Sequence, residues 1–140
     1  MERWIAYAIV SMLFAGATAV VAKLGLTGIS AELGLAVRTA VIFVIVIAMA
    51  VVLVPRAELQ SLTAANAGWL ALSGVLAAVS WIFYYKAVQL GEVSTVALID
   101  KGSVVVALLL AVLVLNEPLN ASKLTGGALM LVGLFIVARA

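Results

Sequence analysis

Five stretches of this chain are long and apolar enough to cross a lipid bilayer, and that repetition limits the fold more than any single residue does. A membrane helix needs about 20 predominantly apolar residues. The runs at 4–22, 33–54, 67–85, 93–115 and 121–138 meet that requirement. The segments 23–32, 55–66, 86–92 and 116–120 between them are short and polar. Each break carries helix-ending chemistry. Pro55 follows Val54, Gly91 follows Leu90, Pro118 follows Asn116 and Glu117, and Asn120 is placed to cap the last helix. Arg3 precedes the first run, as in a signal peptide, but the run is long and more membrane follows. It reads as a retained span.

Composition leads to the same class. The 140 residues are 67% hydrophobic and 10% charged, whereas soluble domains carry about 25% charged residues. Too few polar side chains exist to face water, and lipid removes that demand. The expected fold is therefore all-α: a polytopic membrane bundle of five transmembrane helices in a single domain covering residues 1–140. There is no cysteine and no histidine. Disulfides, thiol chemistry, the usual zinc sites and haem ligation through histidine are thereby excluded. No nucleophile–base, phosphate-loop or metal motif is present, so no enzyme, cofactor or metal is expected. The net charge of +2 comes from isolated Lys and Arg residues between apolar runs. Such spacing suits helix ends at lipid headgroups and gives no reason to expect a nucleic-acid partner.

Five spans put the two ends on opposite sides. Arg3, Arg56 and Lys123 lie on the side of Met1. Lys23, Lys86 and Arg139 lie on the other, joined by Arg38 and Lys101 if helix-end residues are counted. The positive-inside rule draws little from so even a split. Two readings stay open: amino end outside with carboxyl end inside, or insertion in both orientations. Trp4 and Trp69 read as interfacial belt residues. Small residues recur four apart at Ser11, Ala15 and Ala19, at Ser73 and Ala77, and at Ala107 and Ala111, which lets helix backbones approach closely.

The charges inside or beside the runs are the candidates for function. Asp100 and Lys101 fall about two turns into the fourth run. A charge at membrane depth costs a few kcal/mol and normally faces protein or a water-filled cavity. Neighbours on a helix point about 100° apart, so these two are expected to seek other partners. Arg38 and Lys23 lie toward the same side. The bland alternative starts the fourth helix near Gly102, making Asp100 a helix-start acid and Lys101 a snorkelling base. In the third run Ser73, Ala77, Ser80 and Tyr84 share a face, with Trp81 beside them. That stripe either lines a cavity or holds helices together. Ser103 shares a face with Asp100, and Ser11 and Thr18 form a weaker stripe of the holding kind.

Four segments carry a family resemblance: 81–94 (WIFYYKAVQLGEVS), 96–105 (VALIDKGSVV), 113–119 (LVLNEPL) and 126–133 (GGALMLVG). Their order resembles the EamA domain of the drug/metabolite transporter superfamily, and is closest to its short single-domain bacterial and archaeal members. The resemblance implies that the chain is one half of a ten-helix transporter built from two inverted five-helix halves. A half requires a partner, most simply an antiparallel copy of itself. It also implies a prokaryotic plasma membrane and a metabolite, amino acid or drug as substrate. Two departures stand out. Small multidrug transporters of the superfamily use a first-helix glutamate as proton and cation site, yet the run 4–22 has no acid, which argues against that mechanism here and leaves Asp100 as the one residue that could substitute. Many EamA domains carry a fourth-helix proline where this chain has Gly102, Ser103, Val104 and Val105.

The expected function is transport of a small, amino-acid-like metabolite by alternating access in an antiparallel homodimer. Lys23, Arg38, Asp100, Lys101, Ser80, Trp81, Tyr84 and Ser103 are the expected substrate-binding residues. A small dual-topology ion channel, or a non-transporting membrane scaffold or half-subunit that needs a different chain, are the alternatives.

Overall fold

The computed structural model describes residues 3–139, and among these there are helices and turns but no strand. The helices are α1 (Arg3–Gly25), α2 (Ala31–Leu53), α3 (Arg56–Leu59), α4 (Ala64–Leu90), α5 (Val93–Asp100), α6 (Ser103–Leu115) and α7 (Ala121–Val137). Four spans are long and apolar enough to cross a membrane: α1, α2, α4, and α5 with α6 taken as one. The 17 residues of α7 are also apolar and make a shorter fifth. This is a polytopic, all-α membrane protein. The fourth run differs from a continuous span, because the helix tightens at Lys101 and Gly102. Gly102 N–H donates to Ile99 C=O at 2.9 Å, Val104 N–H to Lys101 C=O at 3.1 Å and Val105 N–H to Gly102 C=O at 3.0 Å. These three-residue steps replace the four-residue ladder for one turn and keep the backbone paired.

Helix ends are closed by their own sequence. The Ser30 hydroxyl accepts from Leu33 N–H at 3.2 Å, the Thr63 hydroxyl from Asn66 N–H at 3.1 Å and the Asn120 side chain from Lys123 N–H at 2.8 Å. Each satisfies an amide that the first helical turn leaves without a partner. At the other end of α6, Asn116 takes a left-handed φ of 54°, a conformation that asparagine tolerates better than most residues.

The chain divides into two compact units, one of Met1–Val20 with Gly91–Ala140 and one of Val21–Leu90. In the second, here the middle unit, α2 packs along α4. Leu26, Ala31, Tyr85 and Val88 are its buried residues, all near the start of α2 or the end of α4. Leu26 lies so close to Gly34 that a side chain there would collide with it. The rest of each helix displays large apolar side chains, such as Phe43, Val51, Leu70 and Phe83. A surface of this kind is stable against lipid tails and unstable against water.

Lys23 holds this end of the middle unit together. Its ammonium donates to Val88 C=O at 2.6 Å and to Gln89 C=O at 3.1 Å. These carbonyls belong to the last turn of α4, where helix hydrogen bonding runs out and the dipole is negative. The Gln89 side-chain amide reaches back to Ile29 C=O at 2.8 Å. Lys23→Met keeps the stem and removes the donor, leaving the part-buried Val88 carbonyl without this partner. It should lower the unfolding free energy by about 1.5–3 kcal/mol, seen as an earlier midpoint in a denaturant titration in detergent. An unchanged midpoint would deny the bonds a stabilising role.

Candidate functional site

Two groupings of candidate residues emerge, one in each unit. In the middle unit, Arg38 sits seven residues after Ala31, about 10 Å along α2. Its guanidinium carbon lies 4.7 Å from the centroid of the Trp81 ring and 5.6 Å from that of Tyr85. Trp81 and Tyr85 are one turn apart on α4, so both can meet a single side chain on α2. A cation over an aromatic face is attracted by the ring quadrupole, and the attraction reaches about 2 kcal/mol when water is excluded. Tyr85 is buried, while Trp81, Tyr84 and Arg38 are half-buried. The Tyr84 and Tyr85 rings lie 6.4 Å apart, tilted by 60°.

Nearer the helix ends, Lys86 Nζ and Glu32 Oε1 form an ion pair at 3.1 Å. Both side chains are more than half exposed, so the pair contributes little to stability. The expected stripe of Ser73, Ala77, Ser80 and Tyr84 sits on the face beside the one that meets Arg38. Ser80 is exposed. Tyr85 and the Glu32–Lys86 pair were not among the expected residues. Tyr85 could have been found from its four-residue spacing to Trp81. The ion pair depends on the register of α2 against α4, which no single helix encodes.

In the other unit, Asp100 closes α5 and Lys101 lies in the tightened turn before α6. Their charged atoms are 3.6 Å apart, contrary to the expectation that neighbouring residues would seek other partners. The helix ends between them, so the 100° rule of a regular helix no longer governs their directions. The pair is loose, with side chains 38% exposed at Asp100 and 52% at Lys101. Beside it is a pocket of about 230 Å³, formed by Leu98, Lys101 and Gly102 together with Met130, Gly133, Leu134 and Val137 of α7. Lys101 is its single charged lining residue. Ser103 is exposed. Lys23, Arg38, Trp81 and Tyr84 are thus placed in the middle unit, and Asp100, Lys101 and Ser103 in the other.

The residues of this chain match the EamA-like transporter family over residues 2–139. It belongs to that family. A protein of Sinorhizobium sp described as an "uncharacterized transporter in cobO 3'region" is 32% identical over 137 residues, covering 98% of this chain and 97% of that protein. No solved structure matches. With its apolar spans, this family membership makes the chain a multi-pass membrane transporter of the drug/metabolite type and points away from an enzyme.

Gly102 is where the pocket and the broken helix meet. A methyl group there would lie 2.9 Å from Leu134 Cδ2 and 3.0 Å from Ile99 C=O. Gly102→Ala should therefore destabilise by about 1 kcal/mol through overpacking, measured by thermal unfolding in detergent. Adding Leu134→Ala should recover part of that loss relative to Leu134→Ala alone. If the two losses simply add, Gly102 and Leu134 are not in contact.

Proposed function

We propose that this EamA-family transporter carries a small, amino-acid-like metabolite across a prokaryotic plasma membrane by alternating access, as an antiparallel homodimer. The observation that carries the reading is the interrupted fourth span. Asp100 and Lys101 stand at its break, beside the pocket formed with α7. Irregular backbone at membrane depth is tolerated where it lines a cavity. Discontinuous helices that present their ends and charges to a substrate recur in inverted-repeat carriers. Both charge signs are available at the break, which suits a zwitterion.

The dimer reading draws on the family's ten-helix plan and on charge. Arg3, Arg56 and Lys123 on one side match Lys23, Lys86 and Arg139 on the other in number once Arg38 and Lys101 are set aside, so neither orientation is strongly favoured. The second copy would supply the inverted half and complete the cavity.

Each half of the proposal has its own measurement. A carboxyl-terminal tag should be reached by membrane-impermeant reagent in part of the intact-cell population and protected in the remainder. Uniform labelling or uniform protection would remove the antiparallel dimer. Asp100→Asn should reduce saturable amino-acid counterflow in proteoliposomes roughly tenfold, equivalent to about 1.4 kcal/mol, with little change in melting temperature. Unchanged counterflow would reduce Asp100 to a helix-end acid. Flux that never saturates would indicate a channel.

A further inference from the structure

The middle unit contains two acidic residues, Glu32 and Glu58. Glu32 is committed to Lys86 at 3.1 Å. Glu58 lies in α3, beyond the far end of α2. Arg38 therefore stands about 10 Å along a membrane helix with aromatic rings as its company. Among the described residues it forms no ion pair. Ring faces offset part of the charge, but they accept nothing in the guanidinium plane, where its five N–H donors lie. A cation left in that state at membrane depth needs an anion, a headgroup or water.

We infer that Arg38, steadied over Trp81 and Tyr85, is the carboxylate-binding group of the transporter, and that the carboxylate is the obligatory element of its substrate while an ammonium group is dispensable. The guanidinium fork matches a carboxylate with two parallel hydrogen bonds, whereas a lysine ammonium acts as a point charge. Stacking fixes the fork in advance and reduces the order lost on binding. The indole of Trp81 is only half-buried, so it presents an apolar surface to the carbon body next to the carboxylate. This site rests on the transporter reading above but needs neither the dimer nor Asp100.

A lipid phosphate could satisfy the same donors, and the test separates the two sources. The Trp4→Phe, Trp69→Phe double variant leaves Trp81 as the sole tryptophan, a reporter at the site itself. In non-ionic detergent, its emission should change saturably with acetate, benzoate, phenylacetate or phenylalanine and stay constant with phenethylamine. Arg38→Gln should abolish the response. Arg38→Lys, which keeps the charge and guards against misfolding as the explanation, should weaken it roughly tenfold. No response to any of the four carboxylates would overturn the site, as would a response that survives Arg38→Gln or an equal response to phenethylamine. A Trp81 change seen solely on moving from phosphatidylcholine to phosphatidylglycerol nanodiscs would also overturn it, by assigning Arg38 to headgroup phosphate. Carboxylate binding without counterflow would leave the site standing and sink the carrier reading instead.

Discussion

Every backbone amide and carbonyl in the hydrocarbon layer needs a partner from the protein, and the rest of this structure follows from that demand. Water is absent there, and an unpaired group costs several kcal/mol. Helices answer the demand along their length, so the difficulty concentrates at their ends and breaks. Ser30, Thr63 and Asn120 each close an amino end with a side-chain oxygen. Lys23 closes the carboxyl end of α4 from 65 residues away. Where α5 passes into α6, three-residue hydrogen bonds carry the backbone through the irregular turn. The helices thereby shed a smooth apolar surface to lipid and keep their polar atoms at a few sites.

Those sites treat charge in different ways. Lys23 is bound to peptide carbonyls, Lys86 to a carboxylate at the helix ends, and Arg38 to aromatic faces. Carbonyls and carboxylates use up a cation's hydrogen-bonding capacity, but ring faces do not. Three cations of one unit thus have distinct chemical standing although they look alike in the sequence. The Asp100–Lys101 pair is different again, because it is loose, partly exposed and placed where the helix is already broken.

Much of this was legible beforehand. The lengths and spacing of the apolar runs led to an all-helical membrane protein, because hydrocarbon thickness sets a helix length that composition cannot disguise. Capping by Asn120 was equally readable, since that chemistry is local. The break at Lys101 and Gly102 was legible only as the alternative of a helix starting near Gly102, because the 23 residues from Val93 to Leu115 are long and apolar enough to read as one continuous span. The candidate set named Arg38 and Trp81 but could not join them, and it missed Tyr85 and Glu32. Such pairings depend on how α2 slides along α4, and apolar faces in lipid do not write that register into either strand of text.

The helices also differ in length, and that has a consequence for the surrounding lipid. The 27 residues of α4 extend about 40 Å, while the 17 of α7 extend about 26 Å. A hydrocarbon layer of about 30 Å matches neither. The long helix must lean or project, and the short one draws the leaflets inward or relies on its flanking polar residues. Acyl-chain length therefore becomes a thermodynamic variable for this protein. Thicker membranes relieve α4 and strain α7, and thinner ones do the reverse. Bilayer thickness acts on the chain as a mechanical load, in addition to being its solvent.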